Sequence, residues 1–394
     1  MGRVLGPREV DTTIVNPAKL PPRLADDLCR ECHQAGDAVV LNPGKTVMDY
    51  RPGTPLAETM DIVKRPIKEE QRAEANRLET NPPIRGSLEQ PLWWKNSTLE
   101  LSKCYQASHG QLTCSRCHSI HHAPRQEDEK AAYRSACLSC HKETGCTLKS
   151  EDRARVAVGD YCVACHMEKR PVAGIAHSND TKHRIVRFPG QSLPEIAFEQ
   201  PKPDLPGLLW LNRPAGETGQ TMPDLSQLEA YWTVARKDPS LWPYWFRKLD
   251  ELSKTAPQAP QVLNALGAVA LAEKKDNGKA AGYFAQALKQ GSEEPTTFLN
   301  LATALRNLGQ LQEAEVVLER GVAVYPYSGF LVAELARQYV ASGRSWAARN
   351  LVRQYRTLFP EDPVVRAAQR QIETPRNGSD SPASSRNPPD GLPK

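Results

Sequence analysis

Two segments in the second half of the chain align at an offset of 34 residues, and this period limits the fold more than any other feature. "PTTFLNLATALRNLGQLQEAEVVLERGVAVYP" from Pro295 and "GFLVAELARQYVASGRSWAARNLVRQYRTLFP" from Gly329 both end in an aromatic residue and a proline, Tyr325-Pro326 and Phe359-Pro360. Thirty-four residues is the period of the tetratricopeptide helix–turn–helix unit. Leu301, Ala302, Ala314 and Gly321 take the helix-contact positions of one copy, and Leu335, Ala336 and Ala348 those of the next. Small side chains there let the two helices of a unit approach closely. An earlier copy begins near Pro260, with Leu266, Gly267 and Ala287, and carries one extra residue around positions 274–279. A degenerate copy over 225–256 is rich in tryptophan (Trp232, Trp242, Trp245), and a half-unit over 363–372 closes the stack. Such a unit cannot bury its apolar face alone, and about three are needed for stability. The expectation is an α-solenoid over residues 225–373. Its concave face is either a groove for a protein ligand or a packing surface for the first half of the chain.

The first half is chemically distinct. All ten cysteines fall between positions 29 and 165, all nine histidines between 33 and 183, and residues 184–394 hold neither. The pattern C-x-x-C-H occurs four times, at Cys29/Cys32/His33, Cys114/Cys117/His118, Cys137/Cys140/His141 and Cys162/Cys165/His166. On a helical turn, residues i and i+3 share a face. Both thiols can then reach the two vinyl groups of one porphyrin, and the next residue offers an imidazole to its iron. The spacing is that of c-type haem attachment, so four covalently attached haem c groups are expected, each holding iron. Two alternatives use the same cysteines. Four C-x-x-C pairs could build two four-cysteine zinc sites, although zinc does not require a histidine after each pair. A thioredoxin-like redox pair occurs once, beside a βαβ pattern.

With His33, His118, His141 and His166 as proximal ligands, five histidines remain for four distal positions: His109, His121, His122, His177 and His183. His121, His177 and His183 are favoured as ligands, and His109 and His122 less so. A histidine three residues beyond a proximal one, as His121 is beyond His118, cannot return to the far face of the same iron. It would serve a neighbouring haem. Beyond the start residue only Met48, Met60, Met167 and Met222 could offer sulfur, which points to bis-histidine, low-potential haems. Cys104 and Cys146 remain, either as a disulfide, which an oxidising compartment would favour, or as two separate thiols. Few long periodic apolar runs occur before residue 189. That suits a mostly α, loop-rich domain over 1–188 with porphyrin as much of its core. Arg51, Arg125, Arg170, Arg184 and Arg187 are candidate propionate partners.

Residues 189–224 are proline-rich and read as an extended connector that lies against a domain surface; residues 374–394 are disordered by composition. No run approaches the ~20 apolar residues of a membrane span, so no transmembrane segment is expected. The net charge of +5 is scattered rather than blocked, and a nucleic-acid partner has little support.

The chain resembles multihaem c-type cytochromes fused to tetratricopeptide repeats. The resemblance rests on "NPAKLPPRLADDLCRECH", "CYQASHGQLTCSRCHSIH", "CLSCHKETGC" and "DYCVACHMEKR", followed by "AHSNDTKHRIVR". It implies distal roles for His121, His177 and His183, redox-partner proteins, and a periplasmic or otherwise extracytoplasmic location. It also implies a signal peptide and further motifs upstream of a chain that here opens close to "NPAKL". The first twenty residues hold no apolar h-region or small-residue cleavage site. The function expected is electron transfer, with the repeats docking a partner. A reductase or oxidase of a small nitrogen or sulfur compound is the second reading and would require an open iron. The third is a non-redox repeat scaffold with a zinc-binding first half. An electron carrier is favoured over an enzyme, and no catalytic residue is assigned.

Overall fold

The computed structural model describes residues 15–33, 36–80, 98–118, 128–142, 145–157, 160–171, 179–212, 221–272, 275–292 and 294–373. It divides into two compact units, residues 1–245 and 246–394.

The first unit contains a small antiparallel sheet. Strand β1 (Ala38–Leu41) pairs with β2 (Met60–Lys64) in the register Ala38↔Val63 to Leu41↔Met60. The other edge of β2 takes the last strand of the unit, β5 (Leu209–Trp210). With a partner on each side, the "MDIVK" strand is buried from Met60 to Val63. Tyr50, Leu56, Met60 and Ile62 form one core cluster beneath it. Residues 189–212 do not run as a separate connector. They place Leu193, Ala197 and Phe198 against Ile67 and Ala75 in a second cluster, then contribute β5. Buried Leu and Phe side chains between the prolines account for the difference, because they have apolar surface to bury.

Around this sheet lie short helices: α1 (Pro22–His33), α2 (Arg72–Thr80), α3 (Lys103–Ala107), α4 (Cys114–Cys117), α5 (Glu129–Leu138), α6 (Ser150–Val156) and α7 (Cys162–His166). A hairpin of β3 (Lys169–Pro171) and β4 (Asn179–Thr181) follows. Helix α8 (Asp224–Ala235), expected to open the solenoid, packs on β1 instead. Ser226 donates to the Asn42 Oδ1 at 3.2 Å, Tyr231 to the Pro206 carbonyl at 2.8 Å, and Lys237 to the Asp37 carbonyl at 3.3 Å. The boundary between the two units falls within the next helix, α9 (Trp242–Thr255).

The second unit stacks helix pairs: α10 (Pro260–Ala272) with α11 (Asn277–Lys289), α12 (Pro295–Asn307) with α13 (Leu311–Val324), and α14 (Gly329–Ala341) with α15 (Ser345–Leu358). Helix α16 (Pro363–Glu373) closes the stack. The starts of α12, α14 and α16 are spaced as the sequence period requires, as are those of α11, α13 and α15. The extra residue of the first copy lies in the loop before α11, where Lys275 takes φ +50° and Asp276 caps the helix by accepting from Lys279 N at 3.0 Å. Ala280, Ala314 and Ala348 are fully buried at equivalent positions. Gly267 is required by close approach, since a Cβ there would lie 2.7 Å from the Phe284 ring. The fold is mostly helical and ends in a helical repeat. Among the described residues no helix is long and apolar enough to cross a membrane.

Candidate functional site

Each C-x-x-C-H copy folds as a single tight turn. In the second, His118 N–H donates to the Cys114 carbonyl at 2.9 Å. In the third, the amides of Cys140 and His141 both reach the Cys137 carbonyl, at 3.2 and 3.0 Å. The first copy ends α1 and the fourth is α7 itself. Helical geometry thus sets both sulfurs of each pair on one face, with the histidine one step beyond.

These turns are neighbours in chain order: α1 meets α4, α4 meets α5, and α5 meets α7. Buried Asp26 joins the first two by accepting from Cys114 N at 2.8 Å. The Cys29 thiol lies within hydrogen-bonding reach of that of Cys114, and the Cys137 thiol of that of Cys162. Asp160, just ahead of α7, receives Arg134 of α5 at 2.9 Å and Arg153 of α6 at 2.7 Å. The hydrogen bonds from Arg153 and Arg134 hold its carboxyl below the usual carboxylate range. Burial pushes the thiols of Cys29, Cys104 and Cys117 up, and that of Cys137 to about 11. Cys114 rises further still, through burial first and then the Asp26 charge. These sulfurs are therefore protonated thiols at neutral pH.

His33, His118 and His141 are exposed, and His166 is half-buried. Its Nδ1 lies 2.7 Å from the Val186 carbonyl. Donation from Nδ1–H to that oxygen fixes the tautomer and leaves Nε2 as the nitrogen that could ligate a metal. His118 has its Nδ1 3.5 Å from the Tyr133 hydroxyl. Among the distal candidates, His109 sits exposed in a left-handed turn at φ +50°. The His183 ring faces that of His118, with centroids 6.0 Å apart. His121, His122 and His177 lie outside the described residues. Of the methionines, Met60 and Met222 are buried core side chains.

A haem suits this region. Between positions 98 and 183 the described residues contribute only Ala157 and Val163 to the buried apolar set. Helices this short are not stable on their own, and so little burial does not offset the entropy of ordering them. A large flat apolar group shared between the turns would supply the missing core. The residues that would hold it are Cys29, Cys32, Cys114, Cys117, Cys137, Cys140, Cys162 and Cys165 through sulfur, and His33, His118, His141 and His166 through nitrogen. Among the described residues, no three His, Cys, Asp or Glu side chains converge as ligands of a single metal ion.

Two expectations are corrected. Cys104 and Cys146 are both free thiols. The Cys104 thiol is near enough to those of Cys117, Cys137 and Cys140 to feel their charge. Arg184 is not a propionate partner: it is 2% exposed and donates to Glu79 at 3.2 Å and to the carbonyls of Gln191 and Ser192. Arg51 is spent on the carbonyls of Met48 and Tyr50. Arg125 and the side chain of Arg170 fall outside the described residues.

Sequence reasoning missed Asp26, Asp160, Glu79 and Lys182. Asp26 carried a faint signal, being one turn ahead of Cys29 on the same helix; Glu79 carried none.

In the second unit, Arg306 of α12 donates to Glu334 of α14 at 2.8 Å, and Arg337 bridges Glu334 to Gln371 of α16. A cleft of about 490 Å³ between α15 and α16 is lined by Trp346, Arg349, Arg353, Arg356, Gln369 and Ile372.

No family model matches the chain, and no curated protein matches it. Solved structures similar to part of it include the APC/C hetero-tetramer Cut9–Hcn1, at 19% identity over 38% of this chain and 32% of that one, with a TM-score of 0.31. The match thus spans about a third of that relative's length. A thermophilic TPR protein of Thermus thermophilus is 19% identical over 37% of this chain and 80% of its own, with a TM-score of 0.31. The TPR domain of Arabidopsis OM64 is 20% identical over 29% and 93%, with a TM-score of 0.26. At such scores the repeat assignment rests on the helix period of this chain itself.

Proposed function

We propose that the chain is an extracytoplasmic multihaem cytochrome c that carries electrons, with a tetratricopeptide unit that docks a protein partner. One observation carries the reading: four C-x-x-C-H turns touch one another in sequence, and the described residues of 98–183, which hold three of them, bury almost no apolar side chain. When bound, a haem iron alternates between ferrous and ferric states and so takes up and passes on single electrons. The chain's own part is to hold four such groups close together, through Asp26, Asp160 and the packing of α1, α4, α5 and α7. Half-buried His166, tied to the Val186 carbonyl, is held ready to ligate through Nε2.

The exposed aromatic and basic side chains around Trp346 and Arg353 offer a surface for a partner. Arginine and tryptophan are enriched where protein interfaces bind most strongly.

The test is export of the chain in a host able to mature c-type cytochromes, followed by a pyridine haemochrome assay. Four c-type haems per chain is the expected result. Absence of c-type haem, with zinc bound instead, overturns the reading and leaves a repeat scaffold. A high-spin haem in the wild-type protein would favour a reductase or oxidase.

A further inference from the structure

The segment from Lys182 to Val186 is extended, and its side chains alternate in environment as a strand's do. Lys182, Arg184 and Val186 are buried, whereas His183 and Ile185 are not. The buried set is fixed. Lys182 pairs with Glu168 at 3.0 Å and with Glu79, and Arg184 pairs with the same Glu79. Ile185 N–H donates to the Ser102 hydroxyl at 2.8 Å. Val186 exchanges two hydrogen bonds with His166, its N–H donating to the His166 carbonyl at 2.9 Å and its carbonyl receiving Nδ1 at 2.7 Å. A short extended segment held at this many points presents His183 in one direction only.

That direction is towards the second motif. The rings of His118 and His183 lie 6.0 Å apart, tilted by 44°. A metal–imidazole bond of about 2 Å on each side, with each ring centre about 1 Å beyond its nitrogen, sets two axial rings roughly 6 Å apart. Aromatic rings in direct contact also lie about 4.5–7 Å apart, so the distance allows a shared metal, and the fixed direction of His183 is what points to one. Tyr133 flanks His118 edge-on, with its hydroxyl towards Nδ1, which leaves Nε2 for the metal.

We infer that His118 and His183 are the two axial ligands of one iron, that of the haem anchored at Cys114 and Cys117. The inference rests on the haem reading above. It also makes the segment a link between two sites, because the stretch that offers His183 to the second motif is fastened to the proximal histidine of the fourth.

The experiment uses the full chain matured with haem and reads haem count and spin state. His183→Ala is expected to keep four haems and to turn one of them high-spin by EPR and visible spectra. Cys114→Ser with Cys117→Ser removes the second haem, and on that background His183→Ala is expected to add no high-spin signal. A new high-spin haem there overturns the pairing while leaving the haem reading intact, as does a low-spin His183→Ala protein. A wild-type chain without haem overturns the underlying reading instead. Should the double-serine chain not accumulate, the same serine pairs at the first, third and fourth motifs serve. On each of those, His183→Ala must still turn one haem high-spin, and failure on any one reassigns His183. Should His183→Ala itself fail to fold, His183→Met keeps a ligand. It must stay low-spin and raise the potential of a single haem; four unchanged potentials overturn the inference.

Discussion

Asp61 is the residue whose chemistry is most at odds with its place. It sits on β2, wholly buried, and neither carboxyl oxygen has a hydrogen-bond partner of good geometry. The Ser226 hydroxyl and the Trp210 indole are its polar neighbours, and burial pushes its pKa up to about 7. Unfolded, the group titrates near 3.9. Because the folded value is raised, its contribution to stability is full below about pH 4 and is lost as pH rises through 7. Chemical unfolding followed by tryptophan fluorescence should show the first unit weakening between about pH 4 and pH 7. Asp61→Asn should flatten that slope and exceed the wild type at pH 8. Glu79 is the opposite case, a buried carboxylate between two buried cations. Glu79→Ala strands Lys182 and Arg184 without it, and breaking such a pair costs about 3–5 kcal/mol. The expected result is a lower unfolding midpoint together with a partly high-spin haem, since the segment bearing His183 loses its anchor.

Among the elements, the repeat helices match side-chain size across their contacts. Gly267 faces Phe284. The equivalent positions of the next two units are Ala302 with Leu318 and Ala336 with Val352, all nearly or fully buried. A larger partner is met by a smaller one. Gly267→Ala forces a methyl onto the ring and should cost about 1–3 kcal/mol of overpacking. Adding Phe284→Leu should recover most of it, a coupling measurable by a double-mutant cycle on thermal unfolding. This pattern made α10 to α16 legible in the sequence, because contacts repeated at a fixed period leave a fixed trace. The sheet left none. Its strands are short, β5 lies far from β2 along the chain, and prolines around it suggested a linker. Helix α8 was misplaced because tryptophan-rich helical sequence does not say which surface it will cover. The C-x-x-C-H turns were visible from spacing alone, whereas the contacts of Asp26 and Asp160 and the approach of His183 to His118 join distant parts of the chain.

At the scale of the molecule, the two units differ in what they need in order to fold. The second carries its own apolar core from Phe298 to Val365. The first is well packed around its sheet but sparse between residues 98 and 183. Chain produced without haem should therefore be cut first by protease within 98–183, while a fragment covering α10 to α16 survives; maturation should protect the former region. Mass spectrometry of the fragments reads this directly, and equal protection with and without haem would contradict it. The spare residue ahead of α11 has a practical meaning at the same scale. It lengthens a loop without disturbing the phase of any helix after it, as an expansion joint takes up length without moving the spans on either side. The chain already accommodates an insertion there, which makes the loop at Lys275 the place to add a short peptide label for following this protein to its partner.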